Sequence, residues 1–213
     1  MRGYLCATGG GGFIANDKIA ITINDNLLMV KQFTIHIAVS WVYTTAWPDQ
    51  RRDIVEKVAI FVDVQNIYYT VKDTYGCNFD YNAFWAEATQ GRQVVAAYAY
   101  AIHRGDEKQR QFQNILRGIG FEVKLKPFIQ RSDGSAKGDW DVGITLDVIE
   151  HAPEVDRVIL LSGDGDFDLL VDKVQSKYGI DVEIYGVPGL TAASLINSAH
   201  FFREIEQTLL LKR

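Results

Sequence analysis

The sequence contains few of the residues that form disulfides, zinc sites or imidazole-based catalytic centres. Its 213 residues include 2 cysteines and 4 histidines. Cys6 and Cys77 are far apart and match no CxxC or Cys/His ligand spacing, which excludes a disulfide framework and a zinc site of the usual kind. We therefore expect a reducing compartment and a cytoplasmic protein. Carboxylates are left as the main candidates for chemistry.

The sequence also lacks several motifs that would identify a nucleotide-binding or hydrolytic site. It contains no G-x-G-x-x-G, no G-x-x-x-x-G-K-[ST] and no G-x-S-x-G. A segment that starts at Asp164 resembles an EF-hand loop, but Leu169 replaces the glycine at its sixth position and Gln175 replaces the glutamate at its twelfth. A haloacid-dehalogenase-type phosphatase needs a second aspartate two residues after the first, and Gln65 occupies that position after Asp63.

Positive charge is scarce overall but is concentrated in one part of the chain. The formal net charge of -5 argues against a simple cationic nucleic-acid binder. Between His103 and Lys137, however, there are eight Lys/Arg against four acidic residues, and the excess acid lies between Asp139 and Asp172. A basic surface beside an acidic pocket suits metal-dependent chemistry on nucleic acid. An ordinarily solvated helix and hairpin explains the same charges about as well.

The first 55 residues differ in composition from the rest, and we interpret 1–55 as an N-terminal extension of unknown structure. Four glycines occupy positions 9–12, and the run 33–47 carries no Asp, Glu, Lys or Arg. That run has 15 residues, fewer than the ~20 that a membrane-spanning helix needs, so no stable membrane insertion is expected. An added β-hairpin, a membrane contact and a start codon assigned too far upstream are three alternatives that stay open.

From residue 56 to residue 213, short apolar runs alternate with helical patterns. We predict strands over 57–63, 93–101, 121–126, 157–161 and 180–185. We predict helices over 66–75, 82–90, 107–117, 140–150, 166–177 and 191–198, and a loop over 130–138. The helix over 140–150 places Val142, Leu146 and Ile149 on one face, and the tail from His200 forms a strand or a helix. This alternation predicts an α/β domain, a three-layer Rossmann-like sandwich with a mainly parallel central sheet.

Four aspartates stand where the predicted strands end or the predicted helices begin: Asp63, Asp141, Asp164 and Asp166. Active sites of parallel sheets form beyond the carboxyl ends of the strands, where the chain order changes direction. Carboxylates gathered there repel one another, and a hard cation such as Mg²⁺ relieves the repulsion, activates water and offsets the charge of a phosphate. Asp164 or Asp166 alone is better explained as a helix cap, and Asp141 as a partner of the helix dipole. The four together favour a metal site.

The motifs around these aspartates form an ordered set. They are Asp63-Val-Gln-Asn66, Lys137-Gly-Asp-Trp-Asp141-Val and Ser162-Gly-Asp164-Gly-Asp166-Phe167, followed by Gly179-Ile-Asp-Val, Ser194 and an Ala-His-Phe-Phe run. Any one of them is weak evidence, whereas the set at these spacings is highly specific. Over about residues 56–205 the sequence resembles the NYN domain, LabA-like branch, of the PIN-like nuclease superfamily.

The resemblance implies a Rossmann-like domain with an acidic pocket for Mg²⁺, with Mn²⁺ as the alternative, and an endoribonuclease activity on phosphodiester bonds. The implied metal ligands are Asp63, Asp141, Asp164 and Asp166. The implied catalytic residues are the same four and Asn66, which would orient a water molecule or a phosphate oxygen. The implied substrate-binding residues are Asn66, Lys137, Ser162 and Ser194, with Lys137 on the substrate backbone and Ser162 bonded within the pocket.

Two positions depart from the family pattern. The Lys-Gly-x-Asp spacing is widened by one residue, which makes Asp139 a rival to Asp141 as a ligand. His200 stands where family members often carry Asp. Asp147 fits the pattern, but six residues after Asp141 it lies on another helical face, which suits a structural role.

The expected substrate is single-stranded or looped RNA, because Tyr68, Tyr69 and Phe128 near the crevice can stack on unpaired bases. Two other functions fit the same residues. One is a catalytically inactive RNA- or protein-binding regulatory module, and the other is a metal-dependent phosphatase or nucleotide hydrolase. The oligomeric state is left open, a homo-oligomer included.

Overall fold

A computed structural model describes residues 55–103, 105–127, 129–130, 136–137 and 139–212. The chain divides into two units, Met1–Asp53 and Ile54–Arg213. The first unit, and with it the three alternatives for residues 1–55, lies outside the described residues, as does Phe128. For five residues the structure describes the backbone alone: Pro127, Ile129, Gln130, Ala136 and Lys137.

Strands and helices alternate along the described chain. The strands are β1 (Glu56–Asp63), β2 (Arg92–His103), β3 (Glu122–Pro127), β4 (Ile129–Gln130), β5 (Ala136–Lys137), β6 (Arg157–Leu161), β7 (Asp181–Gly186) and β8 (Phe201–Glu204). The α-helices are α1 (Val64–Tyr75), α2 (Tyr81–Thr89), α3 (Glu107–Ile119), α4 (Asp141–His151), α5 (Asp168–Tyr178) and α6 (Ala193–Ser198), with short 3-10 turns at Ala152–Glu154, Gly165–Phe167 and Gln207–Leu209. The predicted strands and helices are all present, with boundaries displaced by at most two residues. Within the described ranges, no helix is both long and apolar enough to cross a membrane.

Six strands form one parallel sheet in the order β3-β2-β1-β6-β7-β8. Every neighbouring pair in this sheet is parallel. The chain moves outward from β1 to β2 and β3, then returns to place β6 on the other side of β1, so the order reverses between β1 and β6. A crevice beyond the carboxyl ends of these two strands is where such sheets bind ligands. The prediction of a three-layer Rossmann-like α/β sandwich is confirmed.

Helices cover both faces of the sheet. In β1, Val58, Ile60 and Val62 face the core formed with α1, α2 and α3, whereas Ala59 and Phe61 face the core formed with α4, α5 and α6. A central parallel strand that is buried on both faces needs an apolar side chain at every position. This double burial explains the uninterrupted apolar run that leads to Asp63.

The face of α4 that packs on the sheet differs from the face expected from its sequence. Ile144 and Val148 are buried, whereas Val142 and Leu146 are 68% and 63% exposed. Each pair is spaced by four residues, so the helix carries two apolar stripes. The stripe of Ile144 and Val148 is the one that packs on the sheet. The sequence of the helix alone does not determine which of the two stripes is buried. Ile149 is partly buried beside the chosen stripe.

Two short segments take their structure from a pairing partner. The segment predicted as a loop over 130–138 overlaps an antiparallel pair in which Ile129 lies opposite Lys137 and Gln130 lies opposite Ala136. The tail from His200, which the sequence left as strand or helix, forms β8 and extends the sheet beside β7. Strand formation in such short segments depends on the neighbouring chain more than on local propensity.

A buried carboxylate near the amino-terminal end of the sheet is surrounded by arginines. Glu183 of β7 is buried and lies 3.0 Å from Arg92, 2.9 Å from Arg203 and 3.6 Å from Arg157. Glu56, at the start of β1, makes ion pairs of 2.8 Å with both Arg92 and Arg157. A carboxylate inside a protein is tolerated when it is paired and hydrogen-bonded in this way. The pairing of Glu183 with arginines can therefore be compared with the surroundings of the acids at the other end of the sheet.

Candidate metal centre

Asp63 joins the central strand to the helix that follows it. It is the last residue of β1, and its Oδ1 accepts hydrogen bonds from the backbone N–H groups of Gln65 (3.2 Å) and Asn66 (3.1 Å) in the first turn of α1. The side chain is thereby fixed at the carboxyl end of β1, with only 8% of the residue exposed. An aspartate in this position caps the helix, and the carboxyl end of the strand borders the crevice of the sheet.

The pKa of Asp63 is raised from its usual value of 3.8 to about 6. Burial is the largest cause, because removal from water disfavours the charged form. The N–H bonds from Asn66 and Gln65 act in the opposite direction and stabilise the carboxylate. The negative charges of Asp141 and Asp164 raise the pKa further. The carboxyl group of Asp63 is therefore electrostatically coupled to two acids that lie far away in sequence.

The turn after β6 holds Asp164 through a chain of hydrogen bonds. Asn66, in the first turn of α1, accepts a bond from the N–H of Gly163 at 2.9 Å, so the bonded atom must be its carbonyl oxygen. Ser162 Oγ accepts from the N–H of Asp164 at 3.2 Å, and Asp164 Oδ1 accepts from the N–H of Asp166 at 3.1 Å. These bonds tie the ends of β1 and β6 together at the point where the strand order reverses.

The two glycines of this turn allow another loop to pack closely on it. A Cβ added to Gly163 would lie 2.9 Å from the carbonyl oxygen of Leu190, and one added to Gly165 would lie 2.9 Å from Ala192 Cβ and 3.3 Å from Ser194 Oγ. These distances are too short for a side chain without movement of the neighbouring loop. The spacing of glycine and aspartate in the motif thus follows from backbone packing, and it places Ser194 beside the turn.

Asp141 is positioned by the residues around the start of α4. The indole of Trp140 donates to the carbonyl of Ala101 at 3.0 Å and lies across Gly143, where an added Cβ would meet the ring at 2.6 Å. Lys126 lies 4.3 Å from the centre of the Trp140 ring and donates to the carbonyl of Asp139 at 2.9 Å. These contacts fix the backbone directly before Asp141.

The pKa of Asp141 is also raised. Burial is again the largest cause, followed by the negative charges of Asp164, Asp139 and Asp166. The ammonium group of Lys126 opposes these effects and lowers the pKa, but less than they raise it. The side chain of Asp141 therefore occupies a region of excess negative charge.

Three carboxylates converge closely enough to share a cation. One carboxylate oxygen from each of Asp141, Asp164 and Asp166 lies within 4.8 Å of the other two. Asp63 is outside this group of three, although its pKa responds to the charges of Asp141 and Asp164. Asp139, the rival ligand suggested by the sequence, is exposed and does not belong to the group.

The residues present fit a divalent cation. Across the part of the chain that the structure describes, no ion pair joins Asp63, Asp141, Asp164 or Asp166 to a lysine or arginine, in contrast to the arginines around Glu183. Carboxylate oxygens are the ligands that Mg²⁺, Mn²⁺ and Ca²⁺ prefer. Asp166 is exposed, but Asp63 is buried and Asp141 and Asp164 are partly buried. Buried or partly buried acids that repel one another are costly unless they are protonated or bound to a cation. These four residues could hold the ion.

The predicted substrate-binding residues have different surroundings. Ser162 is fully buried, and its hydroxyl oxygen accepts a hydrogen bond from the backbone N–H of Asp164, so it helps to shape the turn. Its assignment to substrate binding stays a prediction. Asn66 uses its carbonyl oxygen for Gly163, and its amide NH₂ has no partner among the described residues. Ser194 is exposed beside Gly165. The prediction for the side chain of Lys137 falls outside what the structure describes.

Two further residues singled out in the sequence, Asp147 and His200, do not belong to the group of three carboxylates. Asp147 accepts a 2.6 Å hydrogen bond from the hydroxyl of Tyr100 and forms a 2.7 Å ion pair with Lys124, so its role is structural, as its helical position indicates. The Nδ1 of His200 lies 3.4 Å from Asp181, at the start of β7 and therefore near the opposite end of the sheet.

Sequence reasoning missed Lys126 and Trp140, which hold the start of α4, and it missed Tyr81, whose hydroxyl lies within electrostatic range of Asp63. Burial and then the charge of Asp63 raise the pKa of Tyr81. Trp140 stands next to Asp141 in the sequence, which was the available signal for its role. Lys126 and Tyr81 come from other elements and approach the centre only after the chain folds.

A parallel Rossmann-like sheet with carboxylates gathered at its switch point is consistent with the PIN-like class of proteins. The family model described as NYN domain matches residues 57–206, and the chain belongs to this family. NYN domains are generally nucleases, so the family indicates a hydrolase.

The known proteins that are similar to this chain include a cyanobacterial and a Vibrio protein. It is 27% identical over 151 residues to the low amplitude and bright protein LabA of Synechococcus elongatus, an alignment that covers 67% of this chain and 80% of LabA. It is also similar to the crystal structure of a protein of unknown function from Vibrio parahaemolyticus RIMD 2210633, with 64% sequence identity and a TM-score of 0.72. That similarity covers 75% of this chain and 98% of the Vibrio chain. The NYN, LabA-like assignment made from the motifs is confirmed.

Proposed function

We propose that this protein is a divalent-metal-dependent endoribonuclease that hydrolyses phosphodiester bonds of RNA, with Asp63, Asp141, Asp164 and Asp166 as the residues that hold Mg²⁺ or Mn²⁺. The observation that carries the proposal is the convergence of unpaired acids at the switch point of the sheet. A bound divalent ion would supply a water molecule of lowered pKa and would offset the negative charge of the phosphate.

The backbone orients the carboxylates for this role. Asp63 and Asp164 each accept hydrogen bonds from backbone N–H groups through Oδ1. In the described part of the protein, Oδ2 of neither residue has a hydrogen-bond partner, so each retains an oxygen for a ligand. Capping a helix and holding a cation are therefore compatible functions of the same side chain. Asp141 and Asp166 contribute carboxylates from two further segments.

Asn66 is the residue best placed to orient the reacting groups. Its carbonyl oxygen is held by the N–H of Gly163, which fixes the side chain between α1 and the turn after β6. Its amide NH₂ can donate to a phosphate oxygen or to a water molecule, because both are hydrogen-bond acceptors. Ser194, exposed beside the same turn, is a second candidate for a substrate contact.

Family membership supports RNA as the substrate, and two exposed aromatic residues support unpaired RNA. Tyr68 and Tyr69 in α1 are each about half exposed, and their rings lie 5.3 Å apart. Exposed aromatic rings bind unpaired bases by stacking, and bases inside a duplex are not available for this contact. The side chains therefore favour single-stranded or looped RNA.

A catalytically inactive regulatory module is the second candidate, and the electrostatics argue against it. Raised pKa values at Asp63 and Asp141 mean that the folded protein is destabilised when these acids are ionised. A protein without metal chemistry would gain stability if the acids were replaced. A phosphatase or nucleotide hydrolase could use the same acids, but no feature of the described residues favours it over a nuclease.

The proposal is tested by incubating the full chain with an end-labelled oligoribonucleotide, the matching oligodeoxyribonucleotide and nucleoside monophosphates. We expect internal cleavage of the oligoribonucleotide with Mg²⁺ or Mn²⁺ and no cleavage with EDTA. Phosphate release from the monophosphates without RNA cleavage would establish the phosphatase instead. Binding of the oligoribonucleotide without cleavage under either metal would establish the regulatory module.

A further inference from the structure

A cleft of about 570 Å³ opens beside Asp63, on the side of the sheet covered by α1 and α3. Its wall includes Val64 and Gln65, the two residues directly after Asp63. It also includes Tyr81, whose pKa is raised by burial and by the charge of Asp63. Ala101 and Ile102, close to the carboxyl end of β2, contribute to it as well. The cleft is therefore a neighbour of the candidate metal centre at the same edge of the sheet, and its volume is in the range of small-molecule sites.

Two polar side chains line this cleft without a partner from the protein. Gln113 of α3 is 4% exposed and Tyr81 is 8% exposed. Among the described residues, neither the amide of Gln113 nor the hydroxyl of Tyr81 has a hydrogen-bond partner. Their polar atoms are not among the fully buried atoms without a partner, so they face the open cleft and can bond to water there. A ligand that occupies the cleft would replace that water at both groups.

The rest of the lining has the character of a site for a flat, uncharged ring. Aromatic rings of Tyr68, Tyr69 and Phe112 contribute apolar surface, and Phe112 packs edge-on against Tyr81 with 5.4 Å between ring centres. Among the described residues of the lining there is no Asp or Glu, and there is one lysine, Lys108. The described lining thus differs in charge from the acidic centre beside it.

We propose that this cleft binds a nucleobase of the RNA substrate, with the base stacked on the aromatic side chains and its polar edge bonded to Gln113 and Tyr81. Nucleobases combine apolar faces with an edge of donors and acceptors, and a glutamine amide can both donate to and accept from such an edge. Lys108, an exposed lysine of the lining, would contact the negatively charged sugar-phosphate chain. The inference rests on the proposed function for the identity of the substrate, and on the cleft itself for the binding.

The test measures binding apart from cleavage. The full chain in EDTA is titrated against the four nucleoside 5′-monophosphates and against ribose 5-phosphate, with ligand NMR as the readout. We expect the monophosphates to bind and ribose 5-phosphate not to bind. Gln113→Leu should weaken binding about tenfold, the effect of one lost hydrogen bond or two, and Tyr81→Phe should weaken it by a smaller factor. Gln111→Leu is the matched control, because Gln111 lies on the exposed side of the same helix, and it should bind as the wild type does.

Equal binding of ribose 5-phosphate, or unchanged binding by both Gln113→Leu and Tyr81→Phe, would overturn the proposal. Tyr81→Phe keeps the aromatic ring and guards against a folding defect in Gln113→Leu, and thermal melting of each variant checks this. If the protein binds bases through Gln113 but cleaves no RNA, the base-binding proposal is supported and the nuclease proposal is wrong. If the protein cleaves RNA equally well with and without the Gln113 and Tyr81 substitutions, the base-binding proposal is wrong and the nuclease proposal stands.

Discussion

Asp164→Asn is expected to lower metal-dependent RNA cleavage by about 100-fold or more. Loss of an outer partner of a metal ligand typically costs 10- to 100-fold, so loss of a ligand itself costs at least the upper figure. The substitution is conservative for the fold, because the asparagine Oδ1 can still accept the 3.1 Å bond from the N–H of Asp166. Asparagine is as good a capping residue as aspartate. Activity should therefore fall while the folded structure is retained.

Asp172→Asn is the control for this prediction. Asp172 lies on α5, the helix that follows the turn, and it is exposed. The two variants lose the same charge from nearby positions, so a general effect of net charge on RNA binding appears in both. We expect Asp172→Asn to cleave RNA at the wild-type rate, as measured by initial rates at saturating Mg²⁺. Equal cleavage rates for the wild type and Asp164→Asn would show that Asp164 is not an active-site residue.

Asp63→Asn is expected to stabilise the metal-free protein while it abolishes metal-dependent cleavage. The pKa of Asp63 rises from 3.8 to about 6 on folding, chiefly through burial. Each pKa unit corresponds to about 1.4 kcal/mol, so the ionised side chain costs the folded state about 3 kcal/mol. The asparagine avoids this cost and keeps an oxygen for the N–H groups of Gln65 and Asn66.

The sign of the pH dependence follows from proton binding. Between about pH 4 and pH 6 the folded state holds a proton on Asp63 that the unfolded state has lost, so the free energy of unfolding falls as the pH rises through this window. Above pH 6 both states are ionised and the full cost remains. Thermal unfolding in EDTA should therefore show Asp63→Asn melting several degrees above the wild type at pH 8. The difference should vanish near pH 4.

The opposite order of melting temperatures at pH 8 would contradict this explanation of Asp63. Such a result would mean that the ionised carboxylate is stabilised by groups other than those described around it. A second comparison separates stability from function. Mg²⁺ should raise the melting temperature of the wild type, because it binds the folded state, and it should raise that of Asp63→Asn much less.

The fold was predictable from the sequence because its parallel strands are buried on both faces. The uninterrupted apolar run before Asp63 and the run 157–161 each identify a central strand, and helical patterns separate them. The packing face of α4 was not predictable in the same way. Val142 with Leu146 and Ile144 with Val148 have the same spacing, and the choice between them depends on the sheet.

The candidate site was predictable where residues lie at the ends of strands and not where they come from other elements. Asp63 and the Ser162–Asp166 turn follow strands β1 and β6, so topology alone brings them together. Gln113 lies in a helix segment rich in glutamine, and nothing in that segment distinguishes the buried glutamine from the exposed Gln111. The partners of Trp140 likewise depend on how α4 approaches β2 and β3.

The central claim is that acids from distant parts of the chain bind one divalent-ion site. Calorimetric titration of the metal-free full chain with Mn²⁺ tests it most directly, with the double variant Asp141→Asn/Asp164→Asn and the control Asp172→Asn alongside. We predict saturable binding in the micromolar to millimolar range for the wild type and for Asp172→Asn, and loss of that binding in the double variant. Binding of Mn²⁺ by the double variant with wild-type affinity would contradict the account.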